Sequence, residues 1–166
     1  MKEKTVSYYN NQITGMPYGA LSKAEATHEL GRFVETMSKS KLRQNLNLSS
    51  FIHWIKPAVL HRQYKFLKLT SDVEYTGYVL WAWVDDSTLT KYMTQPRFFL
   101  KPMHWNEGNN LIIVDWFVEK NKNSQLRELY RYITSSTDIN RSAVNICIRD
   151  DQGRIVRTNK RSIYGY

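Results

Sequence analysis

The chain has 166 residues, 19.7 kDa, with one cysteine, 42% hydrophobic residues and 22 aromatics (5 Trp, 11 Tyr, 6 Phe), enough apolar surface for one buried core and too much for bulk disorder. Its apolar runs, Tyr78 to Val84 and Leu111 to Val118, fall far short of the ~20 residues that a membrane-spanning helix needs. Met1 to Gly15 lacks an apolar signal-peptide core, and a lone Cys147 excludes an internal disulfide and a cysteine-built zinc site. The expectation is a cytoplasmic globular protein.

Residues 1–19 read as a polar arm punctuated by Gly15, Pro17 and Gly19, and residues 20–166 as one domain. Ser22 and Glu25 form a Ser-x-x-Glu capping box that opens a helix whose apolar face is Leu30, Phe33, Val34 and Met37. A second helix is predicted over Ser49 to Leu60, kinked or ended by Pro57, which cannot donate a helical hydrogen bond. Tyr64 to Leu69 and Gly77 to Val84 then read as two strands joined across Ser71 to Thr76. Asp86 caps a short helix toward Tyr92. The turn-rich Asn106 to Asn110 precedes Leu111 to Val118, apolar on both faces as a central strand is. Asn123 caps a helix through Leu126, Leu129, Tyr130 and Ile133, and a hairpin of Ala143 to Arg149 and Arg154 to Thr158 closes the chain. This order defines an α/β single-sheet domain.

The charge balance is 24 Lys+Arg against 15 Asp+Glu, a net +9 with pI near 9.6. It suits an acidic partner, or serves solubility alone. The aromatics Trp81, Trp83, Trp116 and Phe117 sit in apolar runs. Core packing explains them better than base stacking, so no nucleic acid partner is expected.

Asp115 interrupts the apolar run Ile112 to Phe117. A carboxylate in a strand buried on both faces costs several kcal/mol (roughly) unless paired. It is either a strand-end aspartate bonded to a turn or a positioned carboxylate in a cleft. The four histidines, His28, His53, His61 and His104, show no metal-ligand spacing. His53 and His104 gain interest because they flank the segments that carry the resemblance below. The seven glycines form no phosphate-cradling loop, which argues against a nucleotide or CoA site and for no tightly bound cofactor or metal.

Leu30-Gly31, Ser40, Pro57-Ala58, Gln63-Tyr64, Trp81-Ala82, Trp105-x-x-Gly108 and Asp115-Trp116 together resemble the toxin-activating lysine-acyltransferase family, whose hemolysin-activating member acylates RTX protoxins. The likeness covers about residues 28–120, with a weaker echo to 158. It implies a Gcn5-like acetyltransferase (GNAT-like) fold with a mixed, largely antiparallel central sheet flanked by helices. It also implies an acyl group donated by an acyl carrier protein thioester to a toxin side chain. The missing glycine-rich loop and the +9 charge fit an acidic carrier.

In that family a histidine and an aspartate do the chemistry. The aspartate maps onto Asp115. The histidine, three residues after the serine that matches Ser40, maps onto Arg43, and a family asparagine maps onto Trp54. Arginine stays protonated and cannot serve as a general base. Candidate catalytic residues are therefore Asp115, Arg43, Ser40, His53 and His104. Arg43 would bind the donor or stabilise charge, while Asp115, His53 or His104 handles the proton. Two alternatives stand beside this reading. One is a subunit of a siderophore-microcin maturation complex, which joins a siderophore to the C-terminal serine of a microcin with a partner subunit. The other is a catalytically silent scaffold. A homo- or hetero-oligomer is compatible with each.

Overall fold

A computed structural model describes residues 21–41, 43–68, 74–119, 131 and 144–159. The polar arm, 1–19, lies outside the described residues, as does the helix expected from Asn123 apart from Arg131. The closing hairpin is described from Val144 to Asn159. The elements are α1 (Lys23–Ser38), α2 (Leu48–Leu60), β1 (Tyr64–Leu67), β2 (Gly77–Val84), α3 (Asp86–Thr94), a 3-10 turn (Pro102–Trp105), β3 (Asn110–Val118), β4 (Asn145–Arg149) and β5 (Ile155–Thr158).

Local chemistry explains most of the boundaries. The Ser22 hydroxyl accepts from the Glu25 amide at 3.2 Å while the Glu25 carboxylate accepts from the Ser22 amide at 2.8 Å, the reciprocal cap read from the sequence. Asn47 caps α2 by accepting from the Ser50 amide at 2.8 Å. Asp85 rather than Asp86 caps α3, through the Thr88 amide, and Asp86 lies in the first turn. Pro57 does not end α2, which runs on to Leu60. Pro57, Ala58 and Val59 are all buried, so their packing offsets the missing hydrogen bond. Arg62 follows with φ 54°, and the Gln63 amide reaches back to the Ala58 carbonyl at 2.8 Å, closing the helix and releasing the chain into β1.

The five strands lie in the order β1-β2-β3-β4-β5, antiparallel except for the parallel pair β3/β4. β3 is central, as its two-faced apolar run requires. One sheet face packs Tyr64, Phe66, Tyr78, Leu80 and Ile112 against Phe33 and Met37 of α1 and Ile55, Ala58 and Val59 of α2. Phe33 is the hub, with ring centroids 5.2 Å from Tyr64, 4.5 Å from Phe66 and 5.3 Å from Tyr78, contacts worth roughly 0.5–1.5 kcal/mol each. The opposite face carries Leu67, Val79, Trp81, Leu111, Ile113 and Ile148. Trp81 is buried, and Trp83, Trp116 and Phe117 pack against the two clusters, as their apolar runs predict. Val34 departs from the predicted core face of α1 and is exposed.

The β2/β3 ladder contains an irregularity that positions the site. Leu80 pairs with Asp115, but the next residue, Trp81, pairs with Ile113, leaving Val114 as an extra residue in β3. Strict alternation would send Asp115 to the face of Ile113. The bulge restores it to the face of Leu80 and Tyr78, beneath the helices. The β3/β4 pairing also stops there: Ile112 pairs with Asn145 and Ile113 with Ile146, and no further pairs follow among the described residues.

Gly108, from the Trp105-x-x-Gly108 motif, sits where a Cβ would run into the Val84 carbonyl and the Asp85 amide. The obstruction is backbone, so it cannot rotate away. Gly108→Ala is expected to destabilise the fold by about 1–3 kcal/mol, read by urea denaturation; an unchanged midpoint would mean that this close approach is not maintained.

Candidate active site beside the β3 bulge

Asp115 has no solvent-exposed surface. The Arg43 guanidinium donates to Oδ1, and the Tyr78 hydroxyl donates to Oδ2 at 2.8 Å. The carboxylate is therefore neither a strand-end group nor unpaired; both oxygens are engaged. Burial pushes its pKa above the ordinary carboxylate range, against the pull of Arg43 and Tyr78. Burial acts on Arg43 in the opposite direction, yet the adjacent carboxylate holds the guanidinium above its ordinary value. Tyr78, wholly buried beside that charge, is raised well above a normal phenol.

The chain segment between α1 and α2 delivers Arg43. The Ser40 carbonyl accepts from the amides of Arg43 and Gln44, both at 3.0 Å, and the Arg43 carbonyl accepts from Leu46 at 3.0 Å. Ser40 thus joins the site through its backbone. The Arg43 guanidinium lies over the Trp54 ring, 5.2 Å from its centroid, a cation–π contact that favours arginine for its flat, weakly hydrated head. Asp115, Tyr78, Arg43 and Trp54 form one connected unit.

A cavity of about 370 Å³ adjoins this unit, within the range of small-molecule sites. The buried residues Tyr92, Trp105, Val114 and Arg149 form its inner lining, and His53, Phe99, Lys101 and Met103 lie at its exposed rim. Val114 is the bulge residue, one position before Asp115, and Trp54 lines the same cavity. The hollow opens where β3 and β4 cease to pair. Neither Asp115 nor Arg43 lines it.

Arg149 secures one wall. Its guanidinium donates to the carbonyls of Tyr92, Gln95 and Gly153 and lies 4.9 Å from the Tyr92 ring centroid, tying the end of α3 to the β4–β5 turn. Gly153, at φ 71°, shapes that turn so that its carbonyl accepts from the Phe98 amide at 3.1 Å.

The structure thus brings together Asp115, Arg43 and the Ser40 backbone, and places His53 at the cavity rim. His104 is half-buried in the 3-10 turn and does not line the cavity, although its neighbours Met103 and Trp105 do. Sequence reasoning missed Tyr78 and Arg149. Tyr78 lay inside an apolar strand with nothing to mark its hydroxyl, while Arg149 carried one signal, a charge ending the run Val144 to Ile148. Among the described residues no group of three or more His, Cys, Asp or Glu side chains is placed to hold a metal ion, and no helix is long and apolar enough to cross a membrane.

A mixed, mostly antiparallel five-stranded sheet under helices, with a cavity at the point where two parallel strands part, is the architecture of a GNAT-like domain. The model of the RTX toxin acyltransferase family matches residues 22–158, and the chain belongs to that family. The general activity that membership carries is transfer of an acyl group to a protein toxin. No curated protein matches the sequence.

Tyr78→Phe removes only the hydroxyl that satisfies Oδ2. The loss of a hydrogen bond to a buried charged group is expected to cost about 1.5–3 kcal/mol, measured by urea denaturation, with little change in the circular dichroism of the folded state. A cost near zero would show that the carboxylate is served by another donor.

Proposed function

We propose that this protein transfers an acyl group from an acyl carrier protein thioester to a side chain of a protein or peptide toxin, with the 370 Å³ cavity receiving the acyl portion. The observation that carries this reading is the cavity's composition and place. Its inner walls are largely aromatic and aliphatic, and its mouth holds an exposed imidazole, His53, on the turn of α2 next to Trp54. Support for an acidic carrier comes from the net charge of +9 and from exposed cations near the mouth. Lys101 lies on the rim and Arg97 is exposed next to Phe98, while Arg154 is paired with Asp150, which lines the cavity together with Asp151.

The acceptor amine attacks the thioester carbonyl, the C–N bond forms, and the C–S bond breaks. His53 takes the amine proton and returns it to the departing thiolate. Arg43 is not the base, since its proton is held more tightly than usual. Asp115 and Tyr78 hold Arg43, and Arg43 holds Trp54 at the cavity wall. In this reading Asp115 and Tyr78 are positioning residues.

A second reading, joining of a siderophore to the C-terminal serine of a microcin with a partner subunit, is favoured by Arg43. It stands where the family's toxin-acylating pattern has its histidine, and a hydroxyl acceptor with a different donor would relax that requirement.

Intact-mass analysis of a toxin acceptor incubated with acyl carrier protein thioester tests the proposal. The acceptor should gain one acyl mass, and His53→Ala, at an exposed position, should slow transfer by about 10²–10⁴-fold with the fold retained. A full rate in His53→Ala removes His53 as the base. Product that forms only with a siderophore donor and a partner subunit selects the maturation reading, and no product under either condition leaves a scaffold.

A further inference from the structure

Unlike Arg43, Arg149 has no carboxylate partner. It is 3% exposed, and its guanidinium donates only to neutral oxygens, the carbonyls of Gly153, Tyr92 and Gln95. The buried Cys147 thiol beside it on β4 is held in its neutral form, since burial raises its pKa, and adds only a weak acceptor. None of the ion pairs among the described residues includes Arg149. Asp115 is committed to Arg43 and Tyr78. Asp150 accepts from the Gln152 and Arg154 amides and from the Arg154 guanidinium, and Asp151 is exposed. Three carbonyls explain why a forked donor stands at this point, but they leave its charge in place.

The cavity supplies the second observation. Arg149 lines its inner part together with Trp105, Tyr92 and Val114. The Arg149 Nε–H and the Trp105 indole N–H are both buried and without a hydrogen-bond partner among the described residues. A cation and a second donor thus share the inner lining of a hollow whose remaining walls are largely apolar, with His53 at the rim.

A purely hydrocarbon chain end seated there covers a cation and two N–H groups without pairing any of them, which is unfavourable. A neutral amide pairs the N–H groups but not the charge. A carboxylate does both, through charge-assisted bonds about twice as strong as neutral ones. We propose that the cavity takes an acyl group whose far end carries a carboxylate, held by Arg149 and the Trp105 indole, with the thioester at the mouth beside His53. The inference rests on the acyltransferase reading and names the class of acyl group that the same site accepts.

The test uses the full chain and three methyl esters whose ester end stands in for the thioester: monomethyl suberate, its neutral amide methyl 8-amino-8-oxooctanoate, and methyl octanoate. Each is titrated at pH 7 while the Val114 methyl, Arg149 Nε–H and Trp105 indole NMR signals are followed. Monomethyl suberate should shift all three and bind at least about tenfold more tightly than the amide or methyl octanoate. Arg149→Gln, which can still donate to the carbonyls, should remove that preference; the comparison in the unaltered protein decides the matter even where this variant fails to fold. Equal affinities, tighter binding of methyl octanoate, shifts confined to other signals, no binding, or a preference kept in folded Arg149→Gln would overturn the carboxylate site. Transfer from acyl carrier protein is measured separately with octanoyl and 7-carboxyheptanoyl thioesters. Transfer of the octanoyl group with no carboxylate preference in binding overturns this inference alone. Carboxylate-selective binding with transfer of neither group counts against the acyltransferase reading and leaves the site standing.

Discussion

A carboxylate sealed in a protein interior must be paired, and here that requirement organises the structure around it. Asp115 has no exposed surface and is held by the Arg43 guanidinium and the Tyr78 hydroxyl. Each partner comes from a different element: Asp115 from the central strand, Tyr78 from the strand beside it, and Arg43 from the connection between two helices. Loss of one partner would leave another charge or dipole desolvated. The three-way contact therefore fixes how the α1–α2 segment sits on the sheet.

That constraint propagates outward. With Arg43 held, Trp54 has a flat cation to stack against, and the wall between the inner cavity and an open groove lined by Val34 and Arg43 is defined. The Val114 bulge contributes twice, by turning Asp115 toward the helices and by marking where β3 and β4 part. Arg149 performs a parallel task across the cavity, gathering carbonyls from α3 and the β4–β5 turn. Two arginines, one paired with a carboxylate and one with neutral carbonyls, thus flank a cavity that has a largely apolar interior.

Much of the fold was legible because local chemistry and global packing agree. The Ser22–Glu25 box, the apolar runs of the strands and the turn at Asn106 to Asn110 each act over a few residues, where sequence patterns are strongest. Asp115 was conspicuous for the same reason: it breaks an apolar run. What escaped notice depends on distance along the chain. Tyr78 and Asp115 are 37 residues apart, and no local pattern announces their meeting; Arg43 and Asp115, 72 apart, were set side by side only by the family resemblance. The bulge was hidden because an extra residue in an apolar strand leaves the composition unchanged. The outward turn of Val34 was hidden too, since helical spacing cannot distinguish a core position from the wall of an open groove.

The interaction energy between Arg43 and Asp115 is the most direct measure of this account. A double-mutant cycle of Arg43→Met, Asp115→Leu and the double variant should give single-variant losses of about 3–5 kcal/mol each, with the double variant losing much less than their sum. Additive losses, agreeing within about 0.5 kcal/mol, would contradict the claim that these two side chains constrain one another.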